Sequence, residues 1–252
     1  MFPIGDDNPQ INKPVTTYTI IALNALAWFF LQGMGSGEQL NASVCQYGLI
    51  PADLFSSSVW ESGPHMCRAG SGVGWGGVIS SMFMHGSWAH ILGNMLFLWV
   101  FGDNVEDSMG SMRFAIFYLL SGLCASATQI LSGPDSFLPM VGASGAIGGV
   151  MGAYIVLYPR VKVHLLVFIM IFKVPAIVML GYWVVLQVIG GISSMTSTGG
   201  GVAFWAHVGG FVGGAILVLI LKDDELLVKH PHHGWHATKD PVDIWNDPSN
   251  RQ

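Results

Sequence analysis

The chain has 252 residues, of which 52% are hydrophobic and only 10% charged, with a mean hydropathy of +0.54. A soluble domain carries about 25% charged residues, so the composition places this chain in a bilayer. A net charge of −5 with scattered cations and no basic stripe excludes nucleic acid as a partner.

The first residues are polar, include Asp6 and Asp7 and lack a basic n-region, so they are not a secretory signal. A helix needs about 20 mostly apolar residues to cross a bilayer. Six stretches qualify: residues 18–34, 76–101, 114–131, 141–158, 174–192 and 204–221. The apolar run 163–172 is too short to cross and is expected at the interface, with Lys173 and Pro175 at the entry to the fifth span. The chain thus divides into a cytoplasmic tail (1–17), a six-span domain (18–221) with a long outward loop (35–75), and a second cytoplasmic tail (222–252).

Short-loop cations set orientation. Lys13, Arg113, Arg160, Lys162, Lys222, Lys229, Lys239 and Arg251 fall on the side of the termini, and Arg68 alone on the other. Both termini are therefore expected in the cytoplasm. The compact layout without a transit peptide points to a bacterial cytoplasmic membrane.

In the outward loop, Leu49, Ile50, Leu54, Phe55, Val59 and Trp60 have the spacing of short amphipathic helices lying on the membrane. Cys45 and Cys67 share this loop, as a disulfide or as two free thiols. Cys124 falls in the third span and is read as packing. In the second tail, His230, His232, His233 and His236 cluster with no Cys or ordered carboxylate to complete a metal site, so a solvated segment is expected.

Polar side chains inside spans are costly and mark function. His85, His90 and Asn94 fall in the second span, Ser144 near the start of the fourth and His207 near the start of the sixth. His90 and Asn94, four apart, share a helix face about 6 Å apart. Asn24 and Gln187 are isolated, and interhelical hydrogen bonds are expected of them. Ser144, in Gly142-Ala143-Ser144-Gly145, would have a free backbone N–H at a helix mouth, suited to an oxyanion. A loop over 132–139 that dips into the protein would start the fourth span below the membrane surface.

Gly209/Gly213 and Gly210/Gly214 after His207 form a close-approach face, and Gly145, Gly148, Gly149, Gly152 and Ala153 offer a matching one. If these meet, Ser144 and His207 arrive at one level, the histidine as general base. No Asp or Glu is placed to orient it, so a dyad rather than a triad is expected.

These residues resemble the rhomboid intramembrane proteases over 18–221. The matching segments are His85-Gly86-Ser87-Trp88-Ala89-His90-Ile91-Leu92-Gly93-Asn94, Gly142-Ala143-Ser144-Gly145 and Ala206-His207-Val208-Gly209-Gly210, with Gly102, Glu106 and Gly110 matching the family's Gly-xxx-Glu-xxx-Gly turn. The resemblance implies an all-α polytopic fold of six transmembrane helices. It implies Ser144 as nucleophile, His207 as base, and an oxyanion hole of His90, Asn94 and the Ser144 N–H. His85 would organise a water-filled cavity from its top. It further implies single-pass membrane proteins as substrates, cut in or beside their transmembrane segments, and no metal or other cofactor. The loop over 196–201 with the fifth span would be a lateral gate.

Two departures stand out. The family's adjacent Trp-Arg pair is missing, since Arg68 follows Cys67 and the nearest tryptophans are Trp60 and Trp75. The aromatic that some members carry four residues after the nucleophile is Gly148 here, so another group must hold the His207 ring, or the ring is looser. The alternative reading is an inert rhomboid-like protein that binds client helices; the presence of both Ser144 and His207 favours the enzyme. A proton-conducting transporter is disfavoured by the lack of an internal repeat or buried mid-membrane carboxylate. The natural substrate and the oligomeric state are not legible.

Overall fold

The computed structural model describes residues 2–55, 67, 70, 72–194 and 202–234. Val59, Trp60, Arg68, the loop 196–201, His236, Lys239 and Arg251 lie outside the described residues.

The chain begins with β1 (Phe2–Asp6) and then α1 (Val15–Leu26), prolonged by a π turn over Ala27–Leu31. The long first loop follows, with α2 (Gly37–Tyr47) and α3 (Pro51–Phe55), and then the short α4 (Gly77–Ser80). α5 (Trp88–Asp107), α6 (Ser111–Ser132) and α7 (Ser144–Leu157) come next. A hairpin of β2 (Lys162–Val167) and β3 (Met170–Pro175) leads into α8 (Ala176–Ser194), α9 (Phe204–Leu221) and the short α10 (Asp224–Leu227). Six apolar helices, α1 and α5–α9, make the bundle. Of these, α6, α8 and α9 are long and apolar enough to cross a membrane by length and composition.

Two boundaries differ from expectation. The second span starts at Trp88 rather than residue 76, because Ser87 Oγ accepts from the His90 N–H at 3.1 Å and caps α5 there. His85 consequently precedes the helix. The span continues past 101 to Asp107, where its acidic end meets the polar N-terminal segment. Glu106 accepts from the backbone N–H groups of Thr16 (2.9 Å) and Thr17 (2.8 Å), satisfying orphan donors at the start of α1. Asp107 accepts from Ile11 and Asn12. The Gly-xxx-Glu-xxx-Gly turn is thereby explained. A Cβ on Gly102 would press on Thr17 at 3.1 Å, and Gly110 takes φ +79° at the turn into α6.

The all-helical expectation misses one element. Residues 163–172 form most of the β2–β3 hairpin, which pairs with β1 in an antiparallel sheet of order β1-β2-β3. Their β-branched and aromatic composition suits strands, and an unbroken apolar run carries no period to announce it. Asp7 ties the sheet together, accepting from His164 Nε2 (2.6 Å) and Lys173 Nζ (2.9 Å). The second tail is not wholly solvated. His230 is buried against the Tyr158 ring and 3.7 Å from Asp107, and Gly234 N–H donates to Leu157 O. Among the described residues no His, Cys, Asp and Glu group could hold a metal ion.

α7 is the centre of the molecule, with 11 of its 14 residues buried. At 1.5 Å per residue it is only about 21 Å long, less than a bilayer core. The irregular backbone before its mouth is sheltered by the long first loop. Leu49 and Met140 exchange backbone hydrogen bonds (2.9 and 2.8 Å), Ala52 N–H donates to Ser136 O, and Gly142 N–H donates to Ser81 O. In the same loop Cys45 and Cys67 form a disulfide.

The glycine faces meet, with one correction. Gly210 and Gly214 face α7, where added Cβ atoms would lie 1.9 Å from Gly145 O and 2.1 Å from Gly149 O. Gly209 and Gly213 face α6 instead, against Thr128 and Cys124. A helix turns by 100° per residue, so adjacent stripes serve two neighbours.

Candidate active site

Ser144 opens α7, so its backbone N–H belongs to the first turn and has no partner within the helix. Its hydroxyl lies 2.8 Å from His207 Nε2, one turn into α9. The α7–α9 glycine contacts bring the two side chains level. The start of α9 is itself held by α6, where Gln129 Oε1 accepts from Ala206 N–H at 3.2 Å.

Both side chains open into a cavity of about 420 Å³, also lined by His90, Asn94, Trp183 and Met140. Gly142, immediately before the mouth of α7, has φ +129°, and a Cβ there would sit 2.7 Å from His90 Nε2. Only glycine permits both the backbone turn and the close approach of that imidazole. His90 is steadied by Gly86 N–H, which donates to its Nδ1 at 3.3 Å.

His85 does not line the cavity. It is fully buried behind it, with Asn94 Nδ2 donating to its Nε2 at 2.9 Å. An amide has two N–H donors, so this bond leaves one for the cavity and fixes its direction. His85 is in turn gripped by Gln32, whose amide donates to His85 O (2.7 Å) and accepts from His85 N–H (2.8 Å). Gln32 gave no signal in the sequence, since a lone glutamine near a helix end carries none.

A second residue lies hidden in the fifth span. Gln187 Oε1 is 2.8 Å from His207 Nδ1, so the group that meets the histidine's far nitrogen is an amide. The interhelical bond expected of Gln187 is this one. Asn24, by contrast, bonds to Ile20 O within its own helix. The Trp183 ring packs against the His207 ring, centroids 5.7 Å apart and tilted by 39°. At Gly148 an aromatic would have no room, since even a Cβ would meet His207 O at 3.0 Å. Trp183 supports the imidazole from α8 instead.

Six apolar helices enclosing a recessed cavity with a serine–histidine pair define a polytopic membrane protein of helical type. The chain belongs to the rhomboid family: the Rhomboid domain model matches residues 73–223, which hold every residue of the cavity described above. It is 30% identical over 207 residues to Rhomboid protease GluP of Bacillus subtilis (strain 168), which is 81% of this chain and 34% of that protein. Putative rhomboid protease YdcA of the same organism is 28% identical over 143 residues, covering 56% of this chain and 61% of its own length. Rhomboid protein 1, mitochondrial, of Saccharomyces cerevisiae is 35% identical over 95 residues, 36% of this chain and 28% of its own length. The chain thus spans about a third of GluP.

Proposed function

We propose that this protein is an intramembrane serine endopeptidase that hydrolyses peptide bonds in or next to the transmembrane segments of single-pass membrane proteins. The observation that carries the reading is the 2.8 Å contact between Ser144 Oγ and His207 Nε2 inside a cavity recessed below the end of the bundle. His207 takes the hydroxyl proton as Ser144 attacks the scissile carbonyl. The oxyanion is met by the Ser144 N–H, the free Asn94 N–H and the His90 imidazole. His207 then gives its proton to the leaving amine, and cavity water hydrolyses the acyl-enzyme with His207 again the base. The substrate helix must unwind to present an extended bond, so helix-weakening residues near the cut favour cleavage.

We place both termini in the cytoplasm of a bacterial inner membrane, on the distribution of lysine and arginine. The Cys45–Cys67 disulfide suits an oxidising outer compartment. Reporter fusions to the C-terminus should be active as cytoplasmic and silent as exported reporters, and the reverse pattern overturns this orientation.

The function is tested by reconstituting the protein in liposomes with a single-pass substrate bearing a helix-breaking residue near its outer boundary. Wild type should cleave it, and Ser144→Ala and His207→Ala should not, while both variants keep the wild-type melting temperature within a few degrees. Cleavage that survives Ser144→Ala ends the proposal. Failure of wild type on several substrates would instead assign the fold to client binding without catalysis.

A further inference from the structure

We infer that Gln187 is a positioning residue that fixes the tautomer of His207, making the site a Ser144–His207–Gln187 relay assembled across α7, α9 and α8. The inference deepens the protease reading and rests on it.

A neutral imidazole can act on Ser144 only if its proton sits on Nδ1 and leaves Nε2 bare. Which nitrogen carries the proton is decided by what Nδ1 meets. Gln187 offers it either an acceptor oxygen or a donor amine, and the surroundings of Gln187 settle the choice. Its Nε2 donates to Trp183 O at 3.3 Å, one turn back in α8, while its Oε1 lies 2.8 Å from His207 Nδ1. The flipped amide would set oxygen against the Trp183 carbonyl and lose that bond, while its N–H would demand a bare Nδ1 and so move the proton to Nε2. The arrangement that keeps both puts a proton on Nδ1, directed at Gln187 Oε1. Nε2 is then free to accept from Ser144 at 2.8 Å. In the proton transfer, the Ser144 hydroxyl proton moves to Nε2 while the Nδ1 proton stays shared with Gln187, giving an imidazolium and a Ser144 bonded to the scissile carbon.

Gln187 is equipped for this by its place in the fold. Few residues of α8 are buried: Ala176, Leu180, Gln187 and Gly191 form its inward stripe. A polar side chain on that stripe is costly unless it is paired. Gly191, one turn on, admits the Trp205 ring, whose indole would lie 2.9 Å from a Cβ there, and so lets α8 sit close to α9. Trp183, on the same face as Gln187, stacks on the imidazole. α8 thus supplies both a hydrogen bond and a wall to the base. The titratable groups that face His207 are Ser144 from α7 and His90 from α5; among the described residues no carboxylate, lysine or arginine bonds to it.

The test compares wild type, Ser144→Ala, Gln187→Leu and Gln187→Glu in liposomes, measuring kcat and KM against pH with a single-pass substrate. Gln187→Leu keeps the volume and removes the acceptor. It should lower kcat about tenfold to a hundredfold with KM changed less than about twofold, a smaller loss than the ~10⁴ that follows when a buried triad carboxylate is replaced by an amide. Gln187→Glu restores an acceptor and adds charge that stabilises the imidazolium. It should recover kcat at high pH, with the acid limb of the profile moved to higher pH. Wild-type kcat and pH profile in Gln187→Leu overturn the inference. So does a loss in Gln187→Leu that Gln187→Glu does not recover at any pH. If Ser144→Ala still cleaves, it is the protease reading that fails, and the two failures are told apart by that control.

Discussion

Ser144, His207, His90 and Asn94 come from three helices, yet each is held by a partner that removes a degree of freedom. Asn94 shows the consequence at this scale. Its amide is anchored by His85, and His85 by Gln32, so the N–H that faces the cavity is preorganised rather than recruited. Preorganised oxyanion donors act on the transition state more than on the bound substrate, and loss of one costs about 10²–10³ in rate. Asn94→Ala should therefore lower kcat by about that factor with little change in KM, read from initial rates in liposomes. A pure KM effect would show that Asn94 binds substrate instead. Most of these residues are legible in the sequence because a histidine, an asparagine or a glycine-flanked serine in an apolar span is conspicuous. Gln187, Gln32 and Gln129 are not. A glutamine in a hydrophobic helix announces a hydrogen bond but never its partner, which only the packing of α8 on α9, or of α6 on α9, supplies.

At the scale of elements, the glycines of α9 do the positioning. The sequence shows two small-residue stripes but cannot assign them to neighbours. Gly210 and Gly214 bring α9 against α7, and Gly209 and Gly213 bring it against α6. Gly210 touches the backbone next to Ser144, since an added Cβ would lie 1.9 Å from Gly145 O. Backbone cannot yield as a flexible side chain can, so Gly210→Val should destabilise the fold by about 3 kcal/mol and separate Ser144 from His207. Unfolding in mixed micelles, paired with cleavage rates, checks both effects; a stable and active Gly210→Val protein contradicts the close packing. The length of the apolar stretches was enough to find five of the six spans nearly where they lie. It failed at the second span, where a cap at Ser87 decides the start, and at the β2–β3 hairpin, where an unbroken apolar run carries no strand signature.

At the scale of the molecule, one end of the bundle holds the Ser144–His207 cavity and the other holds the chain together. At the latter, β1 folds back onto β2, and Tyr154 from the centre of the bundle donates to Asp6 Oδ2 at 2.6 Å. Burial raises the Asp6 carboxyl from 3.8 to about 6. The neutral acid is therefore the form that suits the fold. Its contribution is complete below about pH 4 and is lost as pH rises through about 6. Asp6→Asn keeps an acceptor for Tyr154 without the charge. It should melt higher than wild type at about pH 8 and lose that advantage at about pH 4. An advantage independent of pH would place the titration elsewhere. None of this end was foreseen beyond its charge, because β1 and the buried His230 lie in segments whose polar composition resembles a solvated tail.

The central claim is that Ser144 is a nucleophile activated by His207. It is tested most directly by treating the protein in liposomes with a serine-directed fluorophosphonate and mapping the adduct by mass spectrometry. Wild type should carry a single adduct on Ser144 that is lost in His207→Ala. An adduct on another serine, or labelling of Ser144 at the same rate without His207, would contradict it.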